Sequence, residues 1–194
     1  MKTILLSIFT LITFSLFAQI DSSKYDRVFD ASEGMIRVKQ DGKYGFLDAA
    51  GNETIAPQYK AARNFSSWRA AVKVDSLWGF IDPQGNEVVV PVYDRVWAFS
   101  EGLALVRRDG RYGYINLSGI PVIPLQYDQA QSVSEGMALV AKSGKSGYYD
   151  ATGRLAIQLI YDEAWPFFNG KAQVRKDGKW FYIDTAGQCV EGCE

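Results

Sequence analysis

The sequence predicts an all-β protein: five copies of a three-stranded unit stacked as an open, twisted solenoid. Three observations lead there. Residues of one kind recur at every 34th position from Tyr25 to the C-terminus, without insertions. No window shows sustained helical spacing of apolar residues. Gly and Pro punctuate the chain too often for a long helix, and the runs between them are short and strand-like. A period this strict means one supersecondary unit copied five times, over 25–58, 59–92, 93–126, 127–160 and 161–194. The alternative is a closed five-bladed propeller-like ring. Against it, 34 residues barely hold the four strands of an ordinary blade.

Residues 1–18 stand outside the array. Lys2 is a short positive segment, and Ile4 to Phe17 is apolar apart from Ser and Thr. Ala18 then offers a small residue before Gln19, so 1–18 reads as a secretory signal peptide. The apolar run is 14 residues, short of the roughly 20 that a spanning helix needs. A membrane association would come only through an uncleaved signal anchor. The mature chain, 19–194, is one five-unit domain, expected to be periplasmic or secreted.

Composition excludes several classes. The 21 Lys and Arg nearly balance 22 Asp and Glu, with no basic block, so nucleic acid is not an expected partner. The chain has no histidine, hence none of the commonest general bases or metal ligands. No metal and no cofactor are expected. Cys189 and Cys193 are the only cysteines, and in an exported chain they read as a small terminal disulfide.

The unit divides into strands at two turns. Asp41-Gly42, Asp109-Gly110 and Asp177-Gly178 are two-residue hairpin loops, with Asp75-Ser76 and Ser143-Gly144 in the same place. Counting outward places Lys39 opposite Tyr44, Lys73 opposite Trp78, Arg107 opposite Tyr112 and Arg175 opposite Trp180. Each pairs a cation with a ring. Unit four loses both members together, Ala141 facing Ser146. The other hairpin face carries Ala71, Ala104, Ala138 and Ala172 (Ile36 in unit one), with valines opposite Gly45, Gly79, Gly113 and Gly147. Those glycines read as room for a neighbouring unit. Phe181 replaces the last of them as a bulky cap.

The second turn is Asp-x-x-Gly, at Asp48/Gly51, Asp82/Gly85, Asn116/Gly119, Asp150/Gly153 and Asp184/Gly187. Its Asp is expected to accept a backbone N–H two residues on, with Gly left-handed. An apolar third strand follows, such as Val88-Val89-Val90, and degenerates around Cys189 to Cys193 in the last unit. The series Lys/Arg-aromatic-Gly-aromatic-Ile-Asp-x-x-Gly, then Ile-Pro and Tyr-Asp, resembles the WG-repeat family over the whole mature chain. The literal Trp-Gly occurs once, at Trp78-Gly79. That resemblance implies a bacterial, all-β, often exported protein, generally without an assigned activity, and it carries over no catalytic residue.

Candidate chemistry is sparse. Asp48, Asp82, Asp150 and Asp184 align, as do Glu33, Glu101 and Glu135, but equivalent copies cannot hold the two different pKa values of a catalytic pair. They read as turn-makers. Gly144-Lys145-Ser146 echoes a phosphate loop without its upstream Gly. Residues that break the period are better candidates for recognition. Four places after each Tyr stand Phe29, Arg63, Trp97, Gln131 and Trp165, and unit two replaces the Glu-Gly turn by Ser67-Trp68 followed by Arg69. Trp97, Trp165, Trp68 and Arg63 are the expected binding residues, against a reading in which the tryptophans only cover edges between units. The expected function is an exported, non-enzymatic scaffold for a protein or cell-envelope partner. The alternative is a carbohydrate-binding module that uses those Trp residues.

Overall fold

The computed structural model describes residues 21–193. The expected signal peptide and its cleavage site lie outside them. The described chain folds into five four-stranded antiparallel sheets, each a simple meander with neighbours in chain order. The first holds β1 (Arg27–Ser32), β2 (Met35–Gln40), β3 (Lys43–Asp48) and β4 (Glu53–Tyr59). The second holds β5 (Ala61–Ala62), β6 (Ala70–Val74), β7 (Leu77–Ile81) and β8 (Glu87–Tyr93). The third runs from β9 (Arg95–Val96) through β10 (Leu103–Arg108) and β11 (Arg111–Asn116) to β12 (Pro121–Tyr127). In the fourth, β13 (Gln129–Ala130), β14 (Met137–Lys142), β15 (Lys145–Asp150) and β16 (Leu155–Tyr161) follow in turn. The fifth is β17 (Glu163–Ala164), β18 (Ala172–Lys176), β19 (Lys179–Ile183) and β20 (Cys189–Glu191).

The expected three-stranded unit is therefore corrected to four. The missed strand follows each Tyr-Asp, or Tyr59-Lys60 in unit two, and after the first sheet is only two residues long, too short to show alternation. Ala61 and Ala62 pair with Lys73 and Val72, and the equivalent pairs recur in the next three sheets. Four strands fit into 34 residues because one of them is this short. The tyrosine that opens each copy in the sequence closes a sheet in space, as the last residue of β4, β8, β12 and β16.

Hairpin register follows the turn dipeptides. Asp41 and Gly42 both take positive φ, at 49° and 76°, as a two-residue loop requires. Lys39, Lys73, Arg107 and Arg175 face Tyr44, Trp78, Tyr112 and Trp180, and Ala141 faces Ser146. The four cations stand 5.7–5.8 Å from the ring centroids. Another carboxylate secures this loop from outside it. Asp26, Asp128 and Asp162, each directly after a Tyr, accept the N–H of Gly42, Ser143 and Asp177. Unit two swaps the charges: Lys60 stands after the Tyr and pairs with Asp75 in the loop at 3.0 Å.

The Asp-x-x-Gly turns form as expected. Asp48 Oδ1 accepts from the N–H of Ala50 and of Asn52, both at 2.9 Å, and Gly51 is left-handed at φ 86°. Asn116 does the same with its amide oxygen, taking the N–H of Ser118 and Ile120 at 3.0 Å. Asp150 adds bonds from the Thr152 hydroxyl and the Arg154 guanidinium.

Sheets join through one repeated junction. Each presents large side chains forward, and the next receives them on a small face. Phe46, Ile55 and Tyr59 of the first sheet meet Phe65, Ala70, Val72 and Ile81 of the second. Three further clusters join sheets two to three, three to four and four to five in the same way. Rings meet edge to face at 4.9–5.0 Å in Phe46–Phe65, Phe80–Phe99 and Tyr148–Phe167. The receiving alanine of the second sheet is Ala70; Ala71 points the other way, into the cluster with Phe80.

The glycines opposite the valines need a second correction. A Cβ on Gly113 would lie 2.7 Å from Ile123 O and 2.9 Å from Leu125 N, both backbone atoms of β12. Its crowding neighbour is thus the fourth strand of the same sheet, which is bulged there. Phe181 in the fifth sheet lies against Gly192, where a Cβ would stand 3.4 Å from Phe181 Cα and 3.5 Å from its Cβ. Its ring turns back to Tyr161, 6.0 Å away, and packs on the junction with sheet four.

The two ends of the array differ. The receiving face of the first sheet, Ile36, Val38 and Leu47, is buried under Tyr25 and Val28. The forward face of the fifth carries Lys171, Gln173 and Glu191 where sheets three and four have Leu103 and Met137, Leu105 and Leu139, and Ile123 and Ile157, with Tyr182 in the place of Tyr114 and Tyr148. Lys171 reaches Glu191 at 2.5 Å and stands 4.5 Å above the Tyr182 ring. Among the described residues no core cluster joins the fifth sheet to the first.

Two predictions follow from these contacts. Gly113→Ala forces main chain against main chain, which cannot relax as a side chain would. Urea titration should show a loss of about 1–3 kcal/mol, typical of overpacking. The second concerns acid. The Thr152 hydroxyl, with the N–H and guanidinium of Arg154, lowers the Asp150 carboxyl to about 2. In the unfolded chain that group titrates near ~3.9. Its contribution is therefore complete above about pH 4 and lost as pH falls toward 2. Asp150→Asn, which copies Asn116, should remove part of the acid sensitivity in a denaturant midpoint series from pH 6 to 2.

Candidate functional site

The column Phe29, Arg63, Trp97, Gln131 and Trp165 follows the first strand of each sheet, within the bulge of β1 in the first. In the others, the column N–H donates to the second strand, as Trp97 N does to Leu105 O at 2.9 Å and Trp165 N to Gln173 O at 3.0 Å. In the first three sheets the column side chain stands beside the hairpin ring of its own sheet. Phe29 and Tyr44 have centroids 6.1 Å apart, Trp97 and Tyr112 6.0 Å, and the Arg63 guanidinium stands 5.4 Å from the Trp78 ring. In these three sheets cation, ring and column residue thus form a three-member stack. Neighbouring columns share grooves: Arg63 and Trp97 line one, Trp97 and Gln131 another, Gln131 and Trp165 a third.

Sheet four breaks the stack. Ala141 replaces the cation, Ser146 the ring, and Gln131 occupies the column. A cleft of about 340 Å³ lies there, reaching from Tyr112 of sheet three to Ala164 of sheet five. A second, of about 360 Å³, shares Gln129, Gln131, Ala141 and Ser146 with it and extends to Trp165. Trp165 is 52% exposed. The structure therefore brings Arg63, Trp97 and Trp165 to one row of grooves.

Trp68 is elsewhere. It sits in the turn before β6, 60% exposed, and lines none of these grooves. Its backbone N–H donates to Glu33 Oε2 at 2.6 Å, beside the Ser67 N–H on Oε1 at 2.8 Å. Glu101 takes the N–H groups of Glu135 and Gly136 in the same way, and Glu135 those of Asn169 and Gly170. These glutamates, expected to serve their own turns, instead clamp the turn of the next sheet. Sequence spacing carried the signal, because each clamp spans 34 or 35 residues, one full period. A serine before each glutamate position adds a hydroxyl bond to the next sheet: Ser32 to Phe65 O, Ser66 to Phe99 O, Ser100 to Val133 O and Ser134 to Phe167 O. Ser67 cannot clamp sheet three. There Arg69 compensates, its Nε donating to Leu117 O at 2.9 Å.

Asp128, Asp162 and Glu163 line the second cleft together, each paired with a cation, and among the described residues the aligned turn aspartates line none of these recesses. The turn aspartates are each occupied by their own loops. Asp75 pairs with Lys60 and Glu163 with Arg175, and Lys145 of the phosphate-loop echo pairs with Asp162. Among the described residues no group of three or more His, Cys, Asp or Glu could hold a metal ion. Cys189 and Cys193 form a disulfide across the end of β20.

The clamp can be tested by restoring it. Ser67 already has the left-handed backbone of Glu33, φ 54° against 51°. Ser67→Glu should therefore reach the Glu101 and Gly102 N–H groups and raise stability by about 0.5–2 kcal/mol, read by thermal and urea unfolding. Glu101→Ala should lower it by a similar amount.

Comparison with known proteins agrees with the array. The family model described as WG containing repeat matches residues 22–44, 44–78, 78–112, 112–145 and 147–180. No curated protein matches the chain by sequence. Among solved structures, a eukaryotic initiation factor aligns with TM-score 0.52 and 12% identity, covering 90% of this chain and 57% of that one. BamB from Moraxella catarrhalis aligns with TM-score 0.44 and 18% identity, over 84% and 59%. The WD40 β-propeller domain of Doa1 aligns with TM-score 0.39 and 11% identity, over 86% and 68%. The chain spans less than two thirds of the length of the first two, and the likeness to the initiation factor concerns the fold alone. With its five consecutive matches across residues 22–180, the chain belongs to the WG-repeat family.

Proposed function

We propose that this protein is an exported, non-enzymatic scaffold, an open arc of five sheets that presents its row of column grooves to a protein or cell-envelope partner. The observation that carries this reading is the division of labour between repeated and variable positions. Nearly every polar residue that recurs is engaged within the frame, the serines and glutamates between sheets and the aspartates within turns. The column changes freely, from Phe to Arg, Trp, Gln and Trp, while the backbone N–H bond to the second strand is the same from Arg63 to Trp165. Positions free to vary on a fixed frame are where a scaffold carries recognition. The polar forward face of sheet five supports the open arc, since closure on sheet one would bury Lys171 and Glu191. The apolar run at 4–17 supports export.

Photo-crosslinking in the native envelope tests this. A benzoylphenylalanine at position 97 or 165 should capture a discrete partner, and one at the exposed, off-column Ile120 should not. Equal capture from all three positions, or none from the column, would refute the reading. Mass spectrometry of the exported protein should give a mature N-terminus at Gln19.

A further inference from the structure

We propose that the double cleft of sheet four is a carbohydrate site that takes a neutral pyranose unit of a glycan chain. In the other four sheets the hairpin face is filled by a ring with a cation opposite it. Sheet four lacks both, and its column residue is Gln131. The joint loss of ring and cation leaves a space that begins at Tyr112 and runs into a second recess along Trp165. At about 340 and 360 Å³, each recess lies within the range of small-ligand sites.

The chemistry of the walls selects the ligand class. Gln129, Gln131 and Ser146 supply two amides and a hydroxyl, all uncharged. Among the described residues, none of these three side chains is engaged in a hydrogen bond within the protein. Charged groups at the rim are already occupied. Asp128 accepts from Arg111 and the Ser143 N–H, Asp162 from Lys145 and the Asp177 N–H, and Glu163 from Arg175. Lys142 donates to Gln126 at 2.9 Å. A cation would find each carboxylate already paired, an anion would meet those three carboxylates beside the single ammonium of Lys142, and a purely apolar ligand would strand the amides. A sugar ring satisfies both constraints. Its hydroxyls can exchange bonds with the amides and Ser146, and its C–H face can lie on an aromatic ring. Trp165, half exposed beside the second recess, and Tyr112 at the first supply such rings.

The test restores the repeat. Ala141→Lys with Ser146→Tyr rebuilds the cation–ring pair of the other sheets and fills the cleft. Gln131→Trp closes it separately, as Trp97 occupies the same column in sheet three. The protein expressed from its full sequence would be titrated with β-1,4-linked tetrasaccharides of glucose, N-acetylglucosamine and mannose, by calorimetry and tryptophan fluorescence. Expected is saturable binding of at least one, weakened about tenfold or more by either filling variant and by Trp165→Ala. The filling variants should also keep or raise the thermal midpoint, so that lost binding is not lost folding. Failure of all three saccharides to bind, or binding that survives both filling variants, would overturn the proposal.

Discussion

Each sheet is bound to the next by side chains that reach the main chain one period ahead. A serine hydroxyl meets a carbonyl 33 residues on, and a glutamate takes two N–H groups 34 and 35 residues on. Side chain to backbone is a tolerant arrangement, because the main-chain partner does not depend on the identity of the residue that carries it. Substitutions in the next turn leave the bond intact, as Ser67-Trp68, Glu135-Gly136 and Asn169-Gly170 all show. An inserted residue would not. It would displace the backbone from its partner and break both bonds, which gives a physical reason for a period that never slips. Apolar packing supplies most of the cohesion at each junction, and the polar bonds fix its register.

The parts of this structure that could be read beforehand are those decided within a few residues. Asp41-Gly42 fixes a two-residue loop, and the pairing of Lys39 with Tyr44 follows by counting. Asp48 fixes its own turn through the N–H groups of Ala50 and Asn52. What could not be read depended on distant backbone. A two-residue strand such as Ala61–Ala62 has no periodicity of its own and exists only because β6 lies beside it. Gly113 looked like space for a neighbouring unit, yet it is crowded by Ile123 and Leu125 of its own sheet. The glutamates looked like local turn-makers because their partners lie a full unit away. Column residues were legible as breaks in the period. That Trp97 and Trp165 share grooves with Gln131, and Trp68 does not, needed the strands in place.

Unit two and unit four show how such a frame absorbs change. Unit two loses its clamp and its hairpin glycine, and both losses are answered nearby, by Arg69 on Leu117 O and by the Lys60–Asp75 pair. Unit four loses a ring and a cation and gains no replacement for either. Its hairpin keeps full pairing from Met137 to Lys145, since Ala141 and Ser146 still occupy a ladder position. Stability there rests on the junctions on either side, where Tyr114 and Tyr148 are buried and donate to carbonyls of the following sheet.

The forward face of the last sheet has a consequence beyond this single chain. A stack of β units with an apolar face at each end is a heterologous surface, able to dock head to tail and grow into fibres. Lys171, Gln173, Tyr182 and Glu191 put charge and hydrogen-bonding groups where another copy would have to bury them. Incorporating a second molecule there would cost the hydration of an ion pair and return little hydrophobic gain. The same four side chains therefore disfavour head-to-tail growth of the array at that face.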